Sequence, residues 1–384
     1  MTSWVVKLSK FCNLRCGYCY EWPELHRRES VSAGELLVLF QNVLNYHNFC
    51  NHRDGQWVRP VFIWHGGEPL LQPLAVFDEI LALQSSIFGD LEVRNAIQTN
   101  LYKLDMQKIQ SLTKMGFGLG ISCDVISGAR NLGSGVATES RVISNINRLI
   151  EAAVPFGGIA VIGRHNVEKV KEVYQYYSSI GTRFRALIWR DGDEDRPLDR
   201  FSISESEAVD FLFDLFLLNY YDGYPISIDP IDGYLQSALL QIAEIPVAKL
   251  DRQFQPDSVF LVNTNGDLFL RRHGYESSQC IGNIFDAGLN ISMSDVYRNG
   301  IIEDRQLIDK YCKFCPHDKN CDGFPILESY HASYRRSCSP TAPIISKIAD
   351  FIRTEGLDRE IARDLLKRGL REGVSSRFRT AALA

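Results

Sequence analysis

At 384 residues, with 45% hydrophobic and 23% charged residues, the chain has an ordinary globular composition and enough length for about two domains. A net charge of −5 gives no ground for binding nucleic acid or an anionic membrane, and no apolar run approaches the roughly 18 residues of a membrane span. No secretory signal opens the sequence, and seven of its ten cysteines fall in metal-like clusters, so a reduced, cytoplasmic setting is expected.

Trp4–Ser9 reads as a short buried strand running into Phe11-Cys12-Asn13-Leu14-Arg15-Cys16-Gly17-Tyr18-Cys19-Tyr20. Here Cys12, Cys16 and Cys19 stand in the spacing C-x3-C-x2-C. Thiolates are soft ligands that select zinc, copper(I) or iron–sulfur clusters. Structural zinc usually takes four protein ligands. Three thiolates on one loop suit three irons of a [4Fe–4S] cube, with the fourth iron left open.

Ser32-Ala33-Gly34-Glu35 is a capping box, opening a helix through Leu36, Leu37, Phe40, Val43 and Leu44; Cys50 after it reads as a packing thiol. Val61–Trp64 is a second buried strand, ending in His65-Gly66-Gly67-Glu68-Pro69. The alternation continues with helix 74–88, strand 93–99, helix 105–115, strand 117–123 and helix 139–152. Strand 157–162, helix 167–180, strand 184–189 and helix 204–218 follow. Six strands each followed by a helix argue for an α/β fold of βα units on a parallel sheet, with chemistry at the C-terminal strand ends.

The cysteine loop, with Tyr18 before its third cysteine, resembles the signature of radical S-adenosylmethionine (radical SAM) enzymes, and six βα units match their partial (β/α)6 TIM barrel. The resemblance implies that the open iron binds S-adenosylmethionine. One electron then releases a 5′-deoxyadenosyl radical that abstracts hydrogen from substrate. It also implies that Gly66, Gly67 and Glu68 bind the methionyl amino group of that cofactor, that Ser122 contacts the cofactor, and that Arg141 pairs with its carboxylate. Gln98-Thr99-Asn100 echoes the family's third strand end, with a less defined role. Asp124, His165, Arg190 and Asp191 lie near expected strand ends, and none is assigned a catalytic role.

Beyond the sixth helix, Phe260–Val262 and Leu268–Leu270 flank Asn263-Thr264-Asn265-Gly266, a hairpin signal. Cys312, Cys315, Cys321 and Cys338 then read as C-x2-C-x5-C-x16-C, which fits zinc or a fully ligated cluster. Their position resembles the SPASM extension, which normally carries two auxiliary [4Fe–4S] clusters. Arg271 stands where that extension places an early cysteine, and Pro325 replaces a later one. Both losses fall on the same cluster, so one auxiliary cluster held by Cys312, Cys315, Cys321 and Cys338 is expected, with Cys280 as a packing thiol. Sulfatase-maturating relatives use an aspartate after an early SPASM cysteine. The matching pair here is Arg271-Arg272, which disfavours that reaction because a guanidinium is no acid–base group.

The expected division is a barrel over 1–220, a small SPASM-like domain with a β-hairpin over 221–340 and a helical tail over 341–384. The tail carries an apolar stripe through Ile344, Ile345, Ile348, Phe351 and Ile352, then basic residues read as a solvated end. The expected function is a peptide-modifying oxidoreductase fed by an external flavodoxin- or ferredoxin-type reductant, with no nucleic-acid or membrane partner. The first strand begins almost at once, so no leader-binding domain is expected before it. A peptide would then be recognised at the barrel mouth, by the extension, or on a carrier. The alternatives are a radical oxidoreductase or isomerase acting on a small metabolite, and a structural zinc- or cluster-binding scaffold.

Overall fold

The computed structural model describes residues 2–19, 21–54, 58–189, 199–247, 259–270, 279–321, 338 and 340–368. Arg190, Asp191, Arg271, Arg272, Pro325 and the basic end past 368 lie outside the described residues. The chain divides into two compact units: residues 1–122, 130–156 and 251–305 form one, and 123–129, 157–250 and 306–384 the other.

The first unit holds four βα pairs: β1 (Thr2–Ser9), α1 (Ala33–Asp54), β2 (Pro60–Gly66), α2 (Leu74–Phe88), β3 (Arg94–Thr99), α3 (Met106–Lys114), β4 (Gly118–Ser122) and α4 (Glu139–Glu151). Strands β1 to β4 pair in parallel in sequence order. β1 is rich in β-branched and aromatic residues and alternates faces. Trp4, Val6 and Leu8 enter an apolar core with Phe40, Phe62 and Trp64. On the opposite face Lys7 and Ser9 are also buried, as strands of a parallel sheet covered on both sides require. The expected capping box opens α1: Glu35 N–H donates to Ser32 Oγ at 3.3 Å and Ser32 N–H to Glu35 Oε2 at 2.7 Å.

The expected hairpin is present as β8 (Val259–Val262) and β9 (Asp267–Leu270), once β7 and the elements of the second unit are numbered in chain order. Gly266 closes its turn at φ +87°, where a Cβ would stand 2.2 Å from Asn283 Oδ1. The hairpin joins the same sheet: β8 runs parallel to β1, and β10 (Cys280–Asn283) pairs antiparallel with β9. Phe260 of β8 stacks on Trp4 with ring centroids 4.3 Å apart. Asn42 of α1 donates to the carbonyls of Ile284 and Asp286, each at 2.9 Å. Cys280 is half-buried, its thiol 3.6 Å from Gly282 O.

The second unit holds β5 (Gly157–Ile162), α5 (Val170–Ser179), β6 (Phe184–Ile188), α6 (Glu205–Tyr221), β7 (Ile228–Asp229) and α7 (Ile231–Ile242), its strands parallel. The expected helix over 167–180 is a 3-10 turn, Val167–Lys169, followed by α5. Helix α8 (Asp295–Tyr311) leads to the second cysteine group, and α9 (Thr341–Thr354) and α10 (Arg359–Arg368) follow. Ile344, Ile345, Ile348 and Ile352 of α9 are buried in the core that α6 and α7 line. The order of elements is that of the expected partial (β/α)6 barrel with a hairpin and C-terminal helices.

One buried imidazole ties α1 to β1. An indole N–H can only donate, so Trp4 Nε1–H at 3.1 Å makes His47 Nε2 the acceptor. His47 Nδ1 then carries the proton and donates to Val58 O at 2.6 Å. Burial lowers His47 from 6.5 to about 4. Between those values the unfolded chain binds a proton that the folded chain refuses. The stabilisation is complete above pH 6.5 and is lost as pH falls towards 4, at about 1.4 kcal/mol per pH unit. Urea midpoints measured across that window should show His47→Gln with a flatter acid dependence than the wild type; parallel curves would contradict this account.

Candidate functional site

The cysteine loop leaves the end of β1 and is stitched by backbone to the end of β2. Gly67 N–H donates to Ser9 O at 2.8 Å, and Glu68 N–H to Phe11 O at 3.0 Å. The two glycines make this approach possible. A Cβ on Gly66 would lie 2.2 Å from Ser9 O, one on Gly67 2.2 Å from Phe11 O, and Gly66 sits at φ +126°. The loop closes further through Cys12 N–H to Leu25 O at 3.1 Å, Cys19 N–H to Cys16 O at 3.0 Å and Arg15 N–H to Asn131 O at 2.7 Å. Its sulfurs share an apolar bed with Leu14, Leu25, Tyr102 and Leu132.

Burial raises the thiols of Cys12 and Cys19 to about 12, and charge on Cys16 pushes both the same way. Thiols that repel one another's ionisation are close neighbours, and a metal centre reverses the cost by taking them as thiolates. Among the described residues no three His, Cys, Asp or Glu side chains close on one point as around a single ion. A cube takes each cysteine on its own iron, so its ligands stand farther apart, and the loop fits that donor set.

Glu68 is buried, and burial raises its pKa. Three donors hold the carboxylate: Leu70 N–H at 2.9 Å and Thr99 Oγ1–H at 2.7 Å to Oε1, and Asn100 N–H at 2.7 Å to Oε2. A carboxylate has about four acceptor positions, so one remains for an ammonium group. Thr99 and Asn100, whose role the sequence left undefined, are thus the clamp on Glu68. Ser122 Oγ accepts from Gln98 Nε2 at 2.9 Å, and the Gln98 side chain lies where a Cβ on Gly120 would stand. Arg141 is exposed; its Nε donates to Tyr102 O at 3.3 Å and its guanidinium lies 5.4 Å from the Tyr102 ring centre.

Sequence reasoning missed the buried cations around the loop, among them Arg130 and Lys7. Arg130 donates to Tyr18 Oη at 3.3 Å and its charge reaches Glu68. Lys7 pairs with Glu21, both fully buried, and burial lowers Lys7 to about 8. A lysine in the apolar run Trp4–Leu8 was the available signal; nothing local marked Arg130.

In the second unit Asp124 Oδ1 accepts Val161 N–H at 3.0 Å, and Asp124 Oδ2 lies 3.4 Å from His165 Nε2. These two expected strand-end residues therefore meet, with Asp124 tied to the end of β5.

Cys312 directly follows α8, and Cys315 N–H turns back to its carbonyl at 2.9 Å. Between Cys315 and Cys321, Asn320 Nδ2 donates to Ile245 O at 2.8 Å, and His317 Nε2 lies 3.1 Å from Ala342 O. The loop is thereby fixed to the end of α7 and the start of α9. Cys338 sits at φ +49° before α9. Burial, then charge on Cys321, Cys312 and Cys315, raises its thiol to about 12, and Cys338 packs in one apolar cluster with Ile308 and Cys312.

Residues 6–177 match the family model described as the radical SAM superfamily. A cysteine-type anaerobic sulfatase-maturating enzyme of Clostridium perfringens (strain 13 / Type A) is 24% identical, over 82% of this chain and 86% of that one. A serine-type anaerobic sulfatase-maturating enzyme of Bacteroides thetaiotaomicron is also 24% identical, over 94% and 93%. Among solved structures, native anSMEcpe with bound AdoMet and Cp18Cys peptide superposes with a TM-score of 0.71 at 20% identity, over 95% of this chain and 99% of that one. Streptococcus suis SuiB bound to precursor peptide SuiA gives 0.56 at 15% identity, over 88% and 75%. The chain therefore carries a radical SAM domain over residues 6–177 and is homologous, across most of its length, to anaerobic sulfatase-maturating enzymes.

Proposed function

We propose that this enzyme modifies a peptide by hydrogen abstraction, and that the reaction is not sulfatase maturation. The observation carrying the cofactor reading is the seam between the cysteine loop and the end of β2, which brings a three-thiolate donor set beside Gly66–Glu68. When bound, a [4Fe–4S] cluster with S-adenosylmethionine supplies a one-electron cleavage whose 5′-deoxyadenosyl radical abstracts hydrogen.

Cys12, Cys16 and Cys19 would hold that cluster. Gly66, Gly67 and Glu68 would take the cofactor's amino group, with Glu68 offering its remaining acceptor position. Ser122 and Arg141 would serve the cofactor as contact and carboxylate partner. Cys312, Cys315, Cys321 and Cys338 would hold one auxiliary [4Fe–4S] cluster for electron transfer or clamping, with no open iron.

The peptide class rests on the likeness to enzymes named for sulfatase maturation and to structures solved with peptides. Arg271-Arg272, where those relatives place the acid–base aspartate, supports a different peptide reaction. The substrate would come free or on a carrier, and the electron from a flavodoxin- or ferredoxin-type donor in the cytoplasm. No helix among the described residues is long and apolar enough to cross a membrane. The working division is barrel 1–220, auxiliary domain 221–340 and tail 341–384.

Anaerobic reconstitution of the wild type should yield about eight irons per chain and reductive formation of 5′-deoxyadenosine. Cys12→Ala should lose about four irons and all 5′-deoxyadenosine, whereas Cys315→Ala should lose about four and keep cofactor cleavage. Unchanged iron in Cys315→Ala, or zinc in place of iron in the wild type, would overturn the assignment of the clusters. For the substrate class, a short peptide encoded beside the gene should change mass in step with 5′-deoxyadenosine release. Consumption of a small metabolite with the peptide untouched would reverse that choice.

A further inference from the structure

Asn13, directly after the first cysteine of the loop, has one end of its carboxamide tied and the other buried without an acceptor among the described residues. Its orientation follows from its neighbours. Glu68 Oε2 accepts Asn100 N–H at 2.7 Å, which sets the backbone of Asn100. The Tyr102 N–H donates to Asn100 Oδ1 at 2.9 Å, so the NH2 end of Asn100 faces the other way. That NH2 donates to Asn13 Oδ1 at 2.9 Å and to Cys12 Sγ at 3.6 Å. Asn13 must then offer its oxygen to Asn100 and turn its own NH2 away. Flipping it would set two NH2 groups against each other.

A donor left buried without a partner costs about 1–3 kcal/mol. Beside three cysteines suited to a cluster, an acceptor outside the chain would remove that cost. The amide sits at the first cysteine of the loop, its other end, Oδ1, 3.9 Å from Cys12 Sγ.

We propose that Asn13 Nδ2–H donates a hydrogen bond to a sulfur of the cluster that Cys12, Cys16 and Cys19 would hold, with Asn100 as a second donor onto Cys12 Sγ. The inference rests on the cluster reading above. Hydrogen bonds to cluster sulfurs stabilise the extra negative charge of the reduced state and raise the reduction potential. Asn13 is a positioning residue acting through the cluster. The clamp on Glu68 and the donors to the cluster then share one residue, Asn100, so the geometry of the cofactor end and the potential of the cluster are set together.

The test is an EPR-monitored redox titration of the anaerobically reconstituted full chain, wild type against Asn13→Leu, with and without S-adenosylmethionine. The three-cysteine cluster should move to a more negative midpoint in Asn13→Leu even without the cofactor, while the four-cysteine cluster keeps its potential as an internal standard. Asn100→Leu, which removes the second donor and releases Asn13 to turn, should move the midpoint the same way. If Asn13→Leu fails to retain iron, Asn13→Ala is titrated in its place. It removes the donors without adding charge or bulk, and should shift in the same direction. An unchanged midpoint overturns the proposal. So does an unchanged midpoint with a tenfold weaker affinity for S-adenosylmethionine, which would assign the donor to the cofactor. A wild-type chain that takes up no iron removes the cluster reading and this donor with it.

Discussion

Two backbone hydrogen bonds, from Gly67 to Ser9 and from Glu68 to Phe11, set the positions of the other groups at this site. They run between the chain just before the first cysteine and the chain just after β2. Their lengths require two peptide planes to approach without an intervening Cβ. A methyl at Gly66 or Gly67 would meet a carbonyl oxygen at 2.2 Å, well inside contact distance. The glycines serve first to let protein meet protein. Any ligand gains from them because the cysteine loop is thereby held against a fixed wall.

From that seam a chain of polar contacts runs inward. Glu68 carries a carboxylate into a buried position and satisfies it with two N–H groups and a hydroxyl. Two of those donors, Thr99 and Asn100, come from the end of β3, so the ends of β2 and β3 are locked together. Asn100 continues the chain to Asn13 and Cys12, and the charge of Arg130 reaches the same carboxylate while its Nη1 holds Tyr18 of the loop. Buried polar groups that are fully partnered rigidify a site because every deviation breaks a bond that water cannot replace. Among the described residues Asn13 Nδ2 is one of several buried polar atoms without a partner, and it lies next to Cys12.

The second cysteine group uses a different device. Its first three cysteines lie close in sequence, and the turns between them are anchored by His317 and Asn320 to neighbouring helices. Cys338 arrives from far along the chain in a left-handed conformation that positions it directly before α9. Helix α9 is itself fixed by its apolar stripe in the core lined by α6 and α7. Hydrophobic burial of one helix thus carries Cys338 to the apolar cluster that holds Cys312.

The local code was legible where chemistry is local. The spacing of Cys12, Cys16 and Cys19 fixes three sulfurs on one short loop whatever the rest of the chain does. The alternation of apolar strands and amphipathic helices specifies βα units, because the periods of the two elements differ. Asn-Gly at 265–266 specified the hairpin through its positive φ. What stayed hidden depends on partners distant in sequence. That the hairpin extends the sheet beside β1 follows from Phe260 stacking on Trp4. That Asp124 meets His165, that Lys7 finds Glu21 under the loop, and that Arg130 reaches Tyr18 are matters of which strand ends converge. The sequence by itself therefore determined the donor atoms and the repeating unit that carries them. Only the tertiary structure decided which donors are buried, which are already spent on one another, and which remain for a ligand, because burial and pairing belong to contacts that no short window contains.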